Sequence, residues 1–288
     1  MKKPRIIFHV GGPKKLGAFP PGHFSSPLPS VDQIVRYRGR IAPRRSLPGV
    51  DLNEQEQLSL LIDLSKFYGE QPFRDYKSDG LRYYFRNGYY SYSDAIFLYC
   101  MLRHLRPRRI IEIGCDFSSC VMLDTSRHFF ANSIEFTFID PYPEVLASLT
   151  PSEAGRLNII PMQMQDVDPE IFTRLAPNDL LFVDSSHVSK LHSDVNHIFF
   201  ELLPRLPAGV FIHFHDIFCE WEYPREWTDA GWYWNEIYIL RAFLQFNSKF
   251  KIRLMNTFLE EYHREFFEAH MPLCLKNLGG SIWLQRTA

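Results

Sequence analysis

The feature that most constrains the fold is a regular alternation of short apolar runs with helical segments, which starts at residue 109. The apolar runs are rich in Ile, Phe and Val and predict five strands: Arg109–Ile113, Glu135–Ile139, Leu157–Ile160, Asp179–Val183 and Gly209–Phe214. Strands that are joined by helices pair in parallel and are buried on both faces. The alternation therefore predicts an α/β fold with a doubly wound, Rossmann-like, mostly parallel sheet.

The two ends of the chain depart from this alternation. Residues 1 to about 50 are rich in proline, which opposes long helices, so we expect an irregular, extended arm there. Apolar spacing predicts helices over Asn53–Tyr68 and Asp94–Leu105, the second with Ser93 as its N-cap. Residues 1–90 are thus predicted to form an N-terminal arm and cap, and residues 91–288 the α/β domain. Further helices are expected at Ser118–Phe130, Ser193–Leu203 and Trp234–Phe246, and terminal strands at Phe250–Asn256 and Ser281–Leu284.

Charge and cysteine usage exclude several classes of protein. The chain has 32 Lys and Arg against 33 Asp and Glu, a formal charge of −1, which gives no electrostatic reason to expect a nucleic acid or an anionic membrane as partner. No apolar stretch reaches the roughly 20 residues that span a bilayer. The five cysteines include no Cys-x-x-Cys pair, so neither a disulfide framework nor a zinc ribbon is predicted. The apolar segment after the basic start is too short for a signal peptide, and we expect a cytoplasmic protein.

The loop after the first strand indicates which ligand the sheet binds. It contains Gly114 but no Gly-x-Gly-x-x-Gly, so the backbone lacks the glycines that admit a diphosphate. Asp116 in this loop would repel phosphates and attract a cation. Asp140, at the end of the second strand, is placed to accept the hydroxyl groups of a ribose. A nucleoside with a positive charge and no phosphates is S-adenosylmethionine, which we predict as the cofactor.

These residues resemble the motifs of the class I S-adenosylmethionine-dependent methyltransferases. The segment from Glu112 to Ser119 is similar to the first motif of that fold, and the segment from Phe138 to Pro143 is similar to the second. The resemblance implies that residues 91–288 form the methyltransferase domain. It also implies cofactor-binding roles for four residues: Glu112 and Gly114 near the methionine part, Asp140 on the ribose and Asp166 near the adenine. Asp116 departs from the family pattern, which has glycine or another small residue there.

A second group of polar residues follows the fourth and fifth strands. Asp184 and His187 come after the fourth strand, and His215 and Asp216 end the fifth. Neighbouring parallel strands end at one edge of the sheet, so we expect these side chains to converge near the cofactor. An imidazole there can take a proton from an acceptor hydroxyl, and the carboxylates with an imidazole can hold a divalent metal ion.

These segments resemble a branch of the same superfamily, which includes macrolide-sugar O-methyltransferases and cephalosporin hydroxylase-like proteins. The resemblance implies that Asp184 is a metal ligand, that His187 is the general base and that His215 and Asp216 occupy the position of an acidic ligand pair. We therefore predict His187, Asp184 and His215 as catalytic residues and Asp184, His215 and Asp216 as metal ligands. An imidazole at position 215 favours iron, zinc or manganese over magnesium.

The acceptor is predicted to be a small molecule, with a sugar or glycoside favoured by the aromatic segment Phe218–Trp227 and by Trp232, Tyr233 and Trp234. Plain core packing and a dimer contact are the alternatives for these aromatic residues. The N-terminal arm and the segment Arg82–Tyr92 are expected to close over the acceptor as a lid that excludes water. The predicted function is O-methylation of a hydroxyl group. Two alternatives stay open: a metal-dependent oxygenase on the same fold, and a non-catalytic nucleoside-binding module. The residues leave open which acceptor is used, whether a divalent metal ion binds and which one, and whether the chain forms a homo-oligomer.

Overall fold

A computed structural model describes residues 19–151 and 155–287. Eleven α-helices lie in this part of the chain: α1 (Val31–Arg38), α2 (Glu54–Tyr68), α3 (Tyr92–Leu105), α4 (Phe117–Phe129), α5 (Glu144–Leu149), α6 (Glu170–Thr173), α7 (Asp194–His197), α8 (Arg225–Asp229), α9 (Glu236–Leu244), α10 (Asn256–Tyr262) and α11 (Arg264–His270). The strands are β1 (Arg109–Ile113), β2 (Glu135–Ile139), β3 (Ile159–Ile160), β4 (Leu180–Val183), β5 (Phe211–His215), β6 (Phe250–Met255) and β7 (Ser281–Arg286).

The seven strands form one sheet in the order β3-β2-β1-β4-β5-β7-β6. Strands β1 to β5 pair in parallel, and β7 pairs antiparallel with both β5 and β6. This arrangement confirms the predicted mostly parallel, Rossmann-like α/β fold. The order reverses at β1, whose neighbours are β2 and β4, and the loops after these three strands therefore meet at one edge.

The central strands and their helices form the core. All four residues of β4 and all five of β5 are buried, as expected for parallel strands covered on both faces. Helix α3 is buried along nearly its whole length, and it packs against both α2 and α4. The core thus fixes the carboxyl ends of β1, β4 and β5, from which the candidate site is built.

Several local predictions differ from the structure. Within the predicted irregular arm, α1 begins at a capping box: the Ser30 hydroxyl accepts the N–H of Gln33, and the Gln33 side chain accepts the N–H of Ser30. This Ser-x-x-Gln signal was present in the sequence. Ser93 lies inside α3, whose N-cap is Ser91. The predicted helix over residues 193–203 is a short α-helix that continues as a π-helical turn and a 3-10 turn.

The chain divides into two compact units. Among the described residues, the larger unit comprises 43–151, 155–224 and 234–287 and contains the sheet and every residue of the candidate site. The described part of the smaller unit comprises residues 19–42 and Arg225–Tyr233 and includes α1 and α8. Residues 1–18 of the predicted arm lie outside the described residues.

Two sequence-based exclusions can be compared with the described residues. No helix among them has the length and apolar character needed to cross a bilayer. All five cysteines are buried and free of disulfide bonds.

Candidate active site

The turn after β1 brings the chain against the end of β4. Gly114 has φ +79°, and its N–H donates to the carbonyl of Ile139 at 2.9 Å. A Cβ atom on Gly114 would lie 1.8 Å from the backbone carbonyl oxygen of Asp184. A positive φ and such a close backbone approach together require glycine. Gly114 therefore fixes the contact between the β1 turn and the end of β4.

Asp140 follows β2 and its carboxylate is held by two backbone groups. One oxygen accepts the N–H of Cys115 at 2.9 Å, and the other accepts the N–H of Tyr142 at 2.7 Å. Each carboxylate oxygen has a further lone pair available for a ligand hydroxyl. The half-buried side chain is thus held in an orientation that can accept two neighbouring hydroxyl groups.

A cavity of about 460 Å³ opens beside these residues, at the carboxyl ends of β1, β2 and β4. Its lining includes Gly114, Asp140, Tyr142, Met164, Gln165, Asp184, Ser185 and Lys190. This is the place where open parallel sheets bind their ligands. We refer to it below as the cofactor cavity.

Two of the four predicted cofactor-binding residues do not line this cavity. Glu112 is fully buried, and its carboxylate accepts the hydroxyls of Ser118 at 2.5 Å and Ser119 at 2.6 Å. Burial raises the pKa of Glu112 well above its ordinary range, against the effect of these hydrogen bonds. Through these two hydrogen bonds, Glu112 links β1 to the first turn of α4. Asp166 is exposed next to Gln165, with its carboxylate 3.8 Å from Nε2 of His192.

The structure brings the predicted residues of β4 and β5 into one cluster around His187. Nε2 of His187 lies 3.1 Å from Oδ1 of Asp184 and 3.5 Å from Oδ2 of Asp216. Nδ1 lies 2.8 Å from Oε2 of Glu236, which is at the start of α9. The imidazole is buried, and the ring of Trp234 packs 4.4 Å from it. We call Asp184, His187, Asp216 and Glu236 the acidic cluster.

The backbone at this cluster is strained. His187 has φ +56° and Asp216 has φ +58°, values that residues other than glycine seldom adopt. Such conformations persist where the surrounding structure holds them, and they are concentrated at functional sites. The two residues are therefore placed by tertiary contacts rather than by local preference.

The carboxylates determine the charge on His187. Burial alone would lower the pKa of His187, but the hydrogen bonds to Asp184 and Glu236 raise it well above its ordinary range. Burial would raise the pKa of Asp184, yet His215 and His187 hold it below its ordinary value. The isolated protein thus holds His187 as an imidazolium between carboxylates.

Two neighbouring aspartates are harder to ionise. Burial and the nearby Asp184 raise the pKa of Asp116 to about 6. Burial also raises the pKa of Asp216 to about 6, against the opposing charges of His215 and His187. Excess negative charge therefore builds up at this edge as the pH rises, and a cationic ligand would offset it.

The two histidines of β5 have different surroundings. Nε2 of His215 lies 3.6 Å from Oδ1 of Asp216; burial lowers its pKa, but Asp216 and Asp184 outweigh that effect and raise it to about 9. His213 is fully buried, with its ring stacked 4.0 Å from that of Phe182 and no hydrogen-bond partner for either nitrogen among the described residues. Burial lowers its pKa well below the ordinary range, so His213 is a neutral core residue.

The acidic cluster also contains a set of donor atoms that fits a divalent cation. Asp184, His187 and Asp216 each offer one ligand atom, and these atoms lie within 4.8 Å of one another. Two carboxylates with an imidazole suit manganese, iron or zinc better than magnesium. A metal-bound histidine commonly donates its other N–H to a carboxylate, which Glu236 provides here. Among the described residues, this donor set contains His187 where the sequence predicted His215.

Sequence reasoning missed Glu236, and the structure places the residues of the aromatic segment in different surroundings. Glu236 directly follows Asn235, a residue type common at helix N-termini, and this was the available signal. Trp221 and Tyr223 are buried in the core of the larger unit, which fits the core alternative for this segment. Trp234 is half-buried and packs on His187.

Comparison with known proteins agrees with this architecture. Residues 111–217 match a family described as a methyltransferase domain. An uncharacterised protein of Archaeoglobus fulgidus is 34% identical over 168 residues, which cover 56% of this chain and 75% of the archaeal protein. The matched residues, which include the glycine turn and the ends of β1, β4 and β5, therefore resemble a methyltransferase domain. This chain belongs to the same family as the archaeal protein.

Solved structures with a similar fold are more distant. A methyltransferase of Podospora anserina in its SAH-bound form is 13% identical, covers 85% of this chain and all of its own, and has a TM-score of 0.46. The O-methyltransferase TomG of Streptomyces achromogenes, solved with SAM, is 14% identical, covers 88% of this chain and 95% of its own, and has a TM-score of 0.43.

Proposed function

We propose that this protein transfers the methyl group of S-adenosylmethionine to a hydroxyl group of a small molecule, with a sugar or glycoside as the favoured acceptor. The observation that carries the proposal is the position of Asp184, which lines the cofactor cavity and also belongs to the acidic cluster. Methyl transfer needs the sulfonium carbon and the acceptor oxygen side by side. Because Asp184 belongs to both the cofactor cavity and the acidic cluster, a cofactor in the cavity and an acceptor at the cluster would lie side by side.

The cofactor is assigned to the cavity by Gly114 and Asp140. The glycine turn brings the backbone to the cavity wall, and the oriented carboxylate of Asp140 can accept both ribose hydroxyls. Asp116 and Asp184 add negative charge beside it, which suits a sulfonium group. Asp166 stays in the proposal as a contact at the adenine end, because the adjacent Gln165 lines the cavity.

The acceptor hydroxyl is assigned to the acidic cluster. Nε2 of His187 faces Asp184 and Asp216, so a neutral His187 can accept the hydroxyl proton there as general base. Asp184 and Glu236 raise the pKa of His187, and a positive charge nearby counteracts this effect. The sulfonium group of the cofactor carries such a charge, so its binding favours the neutral form of His187. Trp234 offers a flat apolar face that suits a sugar ring. His215, next to Asp216, stays in the proposal as a second proton-carrying group.

A divalent cation is the second proposed cofactor. Asp184, His187 and Asp216 would hold it, and it would supply Lewis acidity at the acceptor hydroxyl. In that form Nε2 of His187 is a ligand, so proton acceptance and metal binding are alternative roles of one atom. His215 can contribute as a further ligand only with a change of side-chain position, because it is outside the donor set.

Two measurements test this function. Calorimetric titration with S-adenosylhomocysteine should show binding; no binding at millimolar ligand would remove the cofactor assignment. Methyl transfer to a panel of sugars, glycosides and phenols is then followed by mass spectrometry, with and without EDTA and after addition of manganese, iron, zinc or magnesium. Activity that survives EDTA assigns His187 to proton transfer, and activity that requires a cation assigns it to the ligand set.

The same measurements identify the alternatives. Stoichiometric iron in the purified protein, with no binding of S-adenosylhomocysteine, would indicate a metal-dependent oxygenase. Cofactor binding without methyl transfer to any acceptor class, under every metal condition, would indicate a nucleoside-binding module.

A further inference from the structure

The N-terminus of α9 is attached to the loop that carries His187. The backbone N–H groups of Asn235 and Glu236 both donate to the carbonyl of His187, at 3.0 and 3.1 Å. The Asn235 side chain accepts the N–H of Ser189 at 2.6 Å and donates to its carbonyl at 3.3 Å. These bonds hold His187 in its left-handed backbone conformation, which a free loop would not keep.

The Glu236 side chain continues this attachment to the imidazole. Its Oε2 lies 2.8 Å from Nδ1 of His187, while its Oε1 is buried with no hydrogen-bond partner among the described residues. A fully buried carboxylate with only one side-chain partner is costly for folding. Packing therefore does not account for a glutamate here, where an apolar side chain of similar size would bury at lower cost.

We propose that Glu236 is the positioning residue of His187: it accepts the Nδ1 proton and so directs Nε2 at Asp184 and Asp216. This inference rests on the proposed function for its catalytic meaning. Both nitrogens of the imidazolium donate to a carboxylate, and the contact of Nδ1 with Glu236 (2.8 Å) is shorter than that of Nε2 with Asp184 (3.1 Å). When the imidazolium loses one proton, Nδ1 therefore keeps its proton on Glu236, and Nε2 is left with the lone pair that both proton acceptance and metal binding require.

A matched contact separates this role from simple anchoring of α9. Glu222 accepts the hydroxyl of Tyr238 on the same helix at 2.5 Å, whereas the carboxylates within hydrogen-bond or ion-pair distance of His187 among the described residues are Asp184, Asp216 and Glu236. Substitution of Glu222→Gln therefore weakens a carboxylate contact to α9 and leaves the imidazole contact intact. It serves as the control for Glu236→Gln and Glu236→Ala.

The kinetic test compares these three variants with the wild-type protein. We expect Glu236→Ala to lower kcat by roughly 10- to 100-fold, the usual cost of losing a carboxylate behind a functional histidine, while KM for S-adenosylmethionine changes less than about 2-fold. Glu236→Gln should keep part of kcat, because its amide oxygen can still accept Nδ1–H and its shape preserves folding. Glu222→Gln should keep wild-type kcat. An unchanged kcat in Glu236→Gln and Glu236→Ala would overturn the proposal, as would an equal loss in Glu222→Gln.

A spectroscopic test does not depend on turnover. Nitrogen chemical shifts of 15N-labelled histidine report which ring nitrogen carries a proton, and His187→Asn identifies the signals of His187. We expect Glu236→Ala to shift them and Glu222→Gln to leave them unchanged; unchanged signals in both would overturn the proposal. If the wild-type protein transfers no methyl group while the signals depend on Glu236, the proposed function fails and the positioning of His187 by Glu236 stands.

Discussion

Gly114 and Asp184 touch backbone to backbone: a Cβ on Gly114 would lie 1.8 Å from the Asp184 carbonyl oxygen. This contact joins the cofactor turn to the strand end that carries the acidic cluster. Because the obstacle is backbone, no side-chain rotation relieves it. The geometry of the cofactor cavity therefore depends on the absence of a side chain at residue 114.

Gly114→Ala should destabilise the protein and abolish cofactor binding. The left-handed φ and the steric overlap together should lower the free energy of unfolding by at least about 2 kcal/mol. Denaturant unfolding measures the first effect and calorimetry with S-adenosylhomocysteine the second. Gly80→Ala is the control, since Gly80 shares a positive φ but has open space around its Cβ position. Equal effects of the two substitutions would contradict the steric explanation.

Asp140→Ala should weaken binding of S-adenosylhomocysteine by roughly 10- to 100-fold, the range expected when charge-assisted hydrogen bonds of about 1.5–3 kcal/mol are lost. Calorimetry checks the change. Asp168→Ala is the comparison, because Asp168 also accepts a backbone N–H, from Glu170, but does not line the cofactor cavity. Wild-type affinity in the Asp140 variant would remove this residue from the cofactor site.

The preference for a charged cofactor should depend on pH through Asp116. Its pKa is raised to about 6, chiefly by burial and then by Asp184, so its contribution to stability is complete below the unfolded value and is lost as the pH rises through about 6. Above that pH the ionised carboxylate attracts a sulfonium group. The ratio of affinities for S-adenosylmethionine and its uncharged product should therefore increase between about pH 5 and about pH 7.

Titration calorimetry with both ligands over this pH range tests the effect. Asp116→Asn should reduce the pH dependence, and the remainder should come from Asp216, whose pKa is also raised to about 6 by burial. A ratio that stays constant with pH in the wild-type protein would show that Asp116 does not face the sulfonium group.

His187→Asn should lower turnover by roughly 10²- to 10⁴-fold, the usual contribution of a positioned proton-transfer group. Asparagine tolerates the left-handed conformation at this position, so the loop should keep its shape. Affinity for S-adenosylhomocysteine should change only slightly, because His187 does not line the cofactor cavity. His270→Asn is the control, since that histidine is exposed at the end of α11 and does not line the cofactor cavity. Turnover equal to wild type in the His187 variant would exclude both proposed roles.

Local composition predicted the sheet because the strands of the parallel core are short segments rich in Ile, Leu, Phe and Val, and this enrichment is visible without information from distant residues. Arg109–Ile113 and Glu135–Ile139 match β1 and β2 residue for residue. The third strand was predicted over four residues but forms over Ile159–Ile160 only, at the edge of the sheet, where one partner strand supplies the pairing. An edge strand is hydrogen-bonded to a neighbouring strand on one side only, so the local sequence pattern is weaker evidence for the length of β3.

The sequence by itself determined the α/β class, the glycine turn at Gly114 and the concentration of carboxylates and imidazoles after β4 and β5, since each of these is encoded within a few adjacent residues. Tertiary structure decided which of them meet. Only packing of α9 against the loop after β4 puts Glu236 on Nδ1 of His187, 49 residues away in the chain. His187 and Asp216 have positive φ values and join Asp184 in the donor set, whereas His215 contacts Asp216 at 3.6 Å and is outside that set. Backbone conformations of that kind are imposed by distant contacts, and no local pattern predicts them.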